Sequence, residues 1–208
     1  MTHGVHAVQH EVEHEIKHDA HHGDHGNFLD NINKKVALLI GVMALFLALS
    51  ETLGKSAQTA ALSYNVEASN LWAFFQAKNI RRTVVMTAAE QMEVNAQGAS
   101  DAVRAAATKQ IEAWQKTAAR YRSEPETREG TAELAERAKN VESKRDTALA
   151  KYHHYELASA AFQIGIVLAS ATVITGMLVL TWLALGLAGF GLLFTVIALL
   201  APHAVHLF

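Results

Sequence analysis

Hydrophobic residues fall into three dense blocks, and the long stretch between the first two carries them only at helical spacing. From Val36 to Leu49 no residue is charged, and the apolar run continues past Glu51 to Leu53. That is about 18 residues, near the minimum needed to cross a hydrocarbon core roughly 30 Å thick. Leu157 to Leu180 is a longer uncharged block, and Leu183 to Ala201 is another. Only Thr181 and Trp182 separate these last two, so an antiparallel hairpin turning at that pair is expected, with Trp182 at the membrane interface. The other arrangement is one very long helix with Trp182 inside it. The pattern predicts transmembrane helices over 34–53, 157–180 and 183–201, a polar tail over 1–33 and a short tail over 202–208.

The region 54–156 has a different periodicity. Between Lys55 and Glu156 there is one proline, Pro125, and two glycines, Gly98 and Gly130, among many alanine, glutamate, lysine, arginine and glutamine residues, all good helix formers. Steps of four and three from Tyr64 reach Ala68, Leu71, Phe75, Lys78, Arg82, Val85, Ala89, Met92, Ala96, Ala99, Val103 and Ala106. Apart from Lys78 and Arg82 these positions are uncharged, as a coiled-coil seam requires. Length then restricts the path. A single helix from Lys55 to Arg122 would rise about 100 Å, whereas Thr131 to Glu156 returns only about 40 Å. A bend near Asn95-Ala96-Gln97-Gly98 lets the chain fold back on itself, with a second break at Ser123-Glu124-Pro125. The predicted fold class is an all-α membrane protein with three transmembrane helices and a long extramembrane helical hairpin that is coiled-coil-like.

Three spans put 54–156 on the opposite side of the bilayer from the N-terminal tail. Lysine and arginine number 15 between Lys55 and Lys151 against Lys17, Lys34 and Lys35 in the tail, so the positive-inside tendency favours a cytoplasmic location for the hairpin.

Composition removes several chemistries. With no cysteine there is no disulfide framework, zinc–cysteine site or thiol nucleophile. A net charge of -2 gives no general attraction to nucleic acid, and the basic residues near Trp114 and Tyr121 are interleaved with acids. Phosphate-loop, H-E-x-x-H and G-x-S-x-G patterns do not occur, so no enzymatic activity is expected.

The tail has its own candidate chemistry. His6, His10, His14, His18 and His22 recur every four residues, a spacing that stacks imidazoles on one helix face, where pairs could hold zinc, nickel or copper. A solvated tail, or a surface helix that gains charge near pH 6.5, accounts for the same spacing. Within the apolar blocks, Glu51 and Gln163 are the intramembrane polar candidates. Gly165 and Ala169, and Ala184, Gly186, Gly189 and Gly191, offer small surfaces for close helix packing.

The run from Asn65 to Arg82 reads NVEASNLWAFFQAKNIRR. With the histidine-rich tail and the terminal hairpin, it resembles a bacterial inner-membrane family known only as a domain of unknown function. The matching positions are Asn65, Ala68, Ser69, Trp72, Ala73, Phe74, Phe75, Gln76, Ala77, Lys78 and Ile80, while Leu71 stands where a polar residue is often seen. The resemblance implies location and architecture but no activity. On physical grounds, Trp72, Phe74 and Phe75 are expected to pack on the returning helix near Val141, Leu149 and Tyr152. Lys78 and Arg82 are expected to pair with Glu142 and Asp146, because a buried cation needs a carboxylate. The alternative for these cations is a ring that recruits an anion or a partner protein.

These features lead to a membrane-embedded, homo-oligomeric scaffold whose helical projection binds itself or an unknown protein partner. Two other expectations are an oligomeric channel lined by the second and third spans, and a metal- or pH-responsive sensor acting through the tail.

Overall fold

The computed structural model describes the chain from His3 to Val205, with side chains from Asn33 onward. The histidine stripe at His6, His10, His14, His18 and His22 lies outside the described side chains, and with it the zinc, nickel or copper binding expected there. Four α-helices account for the architecture, and no strand occurs among the described residues: α1 (His3–Ala96), α2 (Asp101–Arg122), α3 (Thr131–Thr175) and α4 (Leu178–Leu200). They form two compact units, one built from the chain through Gly54 with His153–Ala204, the other from Lys55–Tyr152.

In the second unit the breaks fall where glycine and proline predict them. α1 ends at Ala96, and short three-residue bonds (Gln97 N to Val94 O and Ala99 N to Ala96 O, both 3.3 Å) turn the chain at Gly98. α2 ends at Arg122 with Arg120 and Arg122 in its last turn, where cations complement the helix dipole. In the break that follows, Pro125 lacks an amide donor and Arg128 takes a left-handed φ of 57°. Gly130 closes this break for a steric reason: a Cβ there would lie 2.6 Å from Glu124 N and 2.7 Å from Ser123 Cα. Glu133, in the first turn of α3, then reaches back. Its carboxylate accepts from Ser123 Oγ at 2.6 Å and from Glu124 N at 3.3 Å. The Ser123 bond, helped by backbone amides, holds the Glu133 carboxyl below its ordinary value.

The 4–3 seam is buried or half-buried from Tyr64 through Ala99, but Val103 and Ala106 are exposed. The turn at Gly98 resets the helical phase, so α2 faces inward through Ala107, Ile111, Trp114, Ala118 and Tyr121, again four and three apart. The core of this unit comprises Ala68, Leu71, Leu134, Ala138 and Val141, with Tyr64, Trp72 and Phe75 packed against it.

In the other unit α3 and α4 form the antiparallel hairpin, but its turn is Gly176-Met177 rather than Thr181-Trp182, and the single long helix is ruled out with it. Gly176 adopts φ +71° and donates its amide to Thr172 O at 2.8 Å, a left-handed helix end that glycine reaches without a Cβ penalty. Thr181 lies within α4 and donates to Thr172 Oγ1 at 3.2 Å, tying the two helices together. Trp182 is also in α4, 74% exposed. Hydropathy marks where apolar residues pause; backbone geometry sets where the chain turns.

This unit closes on Val36, Ala169 and Ala184, and on Met43, Ala158 and Phe162. Gly165 leaves room for the Met43 Cε, and a Cβ on Gly191 would sit 2.8 Å from the Phe162 ring. Gly165, Ala169, Ala184 and Gly191 thus occupy helix contacts. Gly186 and Gly189 do not: both are exposed, with open space where a Cβ would stand. The described residues include three helices long and apolar enough to cross a membrane, in α1, α3 and α4.

Candidate functional site

The motif residues divide by face, as a helix requires of positions spaced three and four apart. Ala68 is buried, Trp72 and Phe75 are half-buried, and Lys78 is only 7% exposed. Asn65, Ser69, Gln76 and Ile80 face outward, and Ser69 Oγ donates to its own helix at Asn65 O. Trp72 and Phe75 meet edge to face, ring centroids 5.4 Å apart, a preferred aromatic geometry.

Lys78 lies at the centre of the second unit's polar chemistry. Phe74 is one turn before it, and the ammonium sits 5.6 Å from the centroid of that ring and 5.6 Å from that of Tyr121 on α2. Glu124 and Glu129 from the break accept its charge at 3.4 and 3.7 Å. Arg120 also approaches Glu124, at 3.7 Å. The carboxylates expected for this cation are engaged elsewhere. Glu142 accepts from Trp72 Nε1 at 3.0 Å, and Asp146 pairs with Arg145 at 2.9 Å. The reason is register. The eight residues between α2 and α3 bring their acidic break level with Lys78, so an uninterrupted return helix misplaces the partner. Val141 packs beneath the aromatics as expected, whereas Leu149 is exposed. With two carboxylates and two rings around it, Lys78 is caged inside its own unit.

The apolar unit carries a separate set of polar groups. Gln163 Nε2 donates to Glu51 Oε1 at 3.1 Å, so the two polar candidates of the apolar blocks bond to each other, on an exposed side. Ser50 and Thr195, both buried, place their hydroxyls 3.3 Å apart, and Thr195 also donates to Gly191 O at 2.9 Å. His154 is wholly buried. Its Nε2 lies 3.0 Å from Pro202 O and its ring 5.7 Å from Phe194, while Nδ1 has no hydrogen-bond partner among the described residues. Its neighbour His153 approaches Glu156 at 3.8 Å.

Sequence reasoning missed Ser50, Thr195 and the burial of His154. The signal was present for Thr195, the lone hydroxyl between Leu183 and Ala201, whereas Ser50 stands beside Glu51 and Thr52 at the polar edge of its run. For His154 an interfacial position beside Tyr152 and Tyr155 is the simpler expectation, and only the packing of α4 reverses it. Among the described residues no group of three or more histidine, aspartate or glutamate side chains is arranged to hold a metal ion.

These arrangements are structural in kind: a caged cation, a cross-helix amide–carboxylate pair and a buried hydroxyl pair, each held by helix packing. Neither a curated protein nor a solved structure matches the chain. A family model does, over residues 32–201, which takes in both compact units, and the chain accordingly belongs to the family described as "Domain of unknown function (DUF4337)".

Proposed function

We propose that the protein is a non-enzymatic, oligomeric scaffold of the bacterial inner membrane. In this reading the apolar parts of α1, α3 and α4 span the bilayer, and the Lys55–Tyr152 hairpin stands on its cytoplasmic side and associates with itself or with a partner. The observation that carries it is the outer surface of the apolar unit. Leu38, Leu45, Val167, Ile174, Leu193 and Leu200 all point outward, 55–86% exposed. Water would penalise such a surface at about 25 cal/mol per Å², whereas lipid would not. Apart from His154 Nδ1, the buried polar groups described above are engaged in holding helices together, which suits a scaffold better than a reaction centre.

Alkaline carbonate treatment of bacterial membranes expressing the chain tests the embedding, with retention in the pellet expected and release to the supernatant overturning it. Mass measurement of the detergent-purified protein tests the oligomer; a single-copy mass would overturn that part. Protease added to inverted inner-membrane vesicles should cut within residues 123–130, and protection there would reverse the orientation.

A further inference from the structure

α1 has a second seam, on the face away from the one it buries. Val66, Ala73, Ile80, Thr87 and Val94 are spaced by seven residues and are all exposed. Val66 lies midway between the inward positions Tyr64 and Ala68, about 200° around the helix from either. Leu62, Val66, Ile80, Val84 and Val94 are each 60–63% exposed. A shallow groove of about 580 Å³ runs along this face beside Ile80, Thr83, Val84 and Thr87.

Charge sets this surface apart from the rest of its unit. Of the 22 exposed residues between Leu62 and Val94 four are charged: Glu67, Arg81, Glu90 and Glu93. On α3 between Thr131 and Tyr152, four of the eight exposed residues are charged: Glu136, Lys139, Lys144 and Asp146. A solvated helix face has no reason to keep charge off one stripe over the roughly seven turns from Leu62 to Thr87. A strict seven-residue repeat keeps facing one partner only when two helices supercoil, so the occupant is a helix.

We propose that this face of α1 is the self-association surface, taking the same face of a second copy in a parallel, in-register pair. The choice of occupant follows from charge. Across the axis of such a pair each residue meets its own copy, so any charge at the seam or its flanks would face its like. From Leu62 through Val84, neither the seam nor the flanking positions three and four residues from it carry a charge; Glu90, which flanks Thr87 and Val94, is the first to do so. A different protein would be selected by complementary flanking charges, which this stretch lacks. Parallel alignment rests on the membrane reading above, since copies inserted with one orientation point the same way and meet at raised effective concentration.

The chain has no cysteine, so single cysteines report the pairing directly. Val66→Cys, Ile80→Cys and Val94→Cys, each in isolated membranes under a mild oxidant, are expected to form disulfide dimers severalfold faster than Lys144→Cys on the charged face of α3. Dimers from Ile80→Cys alone would mean antiparallel pairing and overturn the proposal, as would four equal rates or cross-linking only to another protein. Ile80→Lys should weaken self-association by more than about tenfold, because each copy then buries an unpaired ammonium. Its helical circular dichroism should be unchanged, since Ile80 is exposed within its own chain. Carbonate retention of the same variants separates the failures: retained but unlinked chains sink this surface alone, whereas extracted chains sink the membrane reading.

Discussion

The two compact units solve one packing problem and present opposite outer surfaces. Both bring helices close through small residues, Ala68 and Ala138 in the hairpin unit, Gly165, Ala169, Ala184 and Gly191 in the apolar one. Both then insert large side chains into the space left, Leu71 and Leu134 in the first, Met43 and Phe162 in the second. They differ in where polarity goes. The hairpin unit buries a full charge, Lys78, and satisfies it with two carboxylates. The apolar unit pairs hydroxyls at its helix contacts, Ser50 with Thr195, and turns leucine, valine and isoleucine outward. Close helix packing is thus common to both units, while the buried polar groups and the outer surface differ.

That contrast is most sharply broken at Lys78. Lys78→Glu would place a third carboxylate beside Glu124 and Glu129 and should cost on the order of 3–5 kcal/mol, read as a lowered midpoint of chemical unfolding for the hairpin. Lys78→Met keeps the aliphatic contacts with Phe74 and Tyr121 and should lose less, because the carboxylates it leaves behind reach solvent in part and Glu124 keeps Arg120. An equal loss for both would mean that the ammonium's pairing with the carboxylates, which both substitutions remove, carries the whole effect.

In the apolar unit the counterpart is Gly191. Gly191→Ala drives a methyl group into the Phe162 ring and should destabilise by about 1–3 kcal/mol in a detergent melt. Gly189→Ala meets open space and should be neutral or stabilising by up to about 1 kcal/mol, since alanine is the better helix former. Ser50→Ala removes one cross-helix bond and should cost about 0.6 kcal/mol, the typical worth of such bonds between membrane helices.

The smallest effect belongs to pH. The Glu133 carboxyl is held below its ordinary value of 4.5 in the folded chain, so it stabilises the α2–α3 break fully above that value. The contribution is lost as pH falls through the depressed folded value. Hydrogen exchange at the Ser123–Gly130 amides should therefore rise on acidification, once corrected for intrinsic rates, and Glu133→Gln should abolish that dependence.

Much of this was legible along the chain. The helical class, the apolar blocks and the seam from Tyr64 to Ala99 follow from periodicity, and the bends near Gly98 and Pro125 from residues that cannot continue a helix. The Gly176 turn was not legible in the same way, because Gly176 lies in an uncharged run among other glycines and nothing local announces a left-handed backbone. Gly186 and Gly189 share the small size of Gly165 and Gly191, yet face outward. Composition gives a helix a small-residue surface without saying which side a neighbour occupies. The partner of Lys78 was misassigned because the length of the break, not the order of the acids, sets the register.

Local chemistry by itself determined which segments are helical, which are apolar enough for a bilayer and which residues interrupt them, since these depend on side chains within a few turns of one another. Tertiary structure alone decided which carboxylates neutralise Lys78, that Gln163 reaches Glu51 and that His154 is buried. Each of those joins residues tens of positions apart, and their meeting depends on the phase at which each helix restarts after its turn.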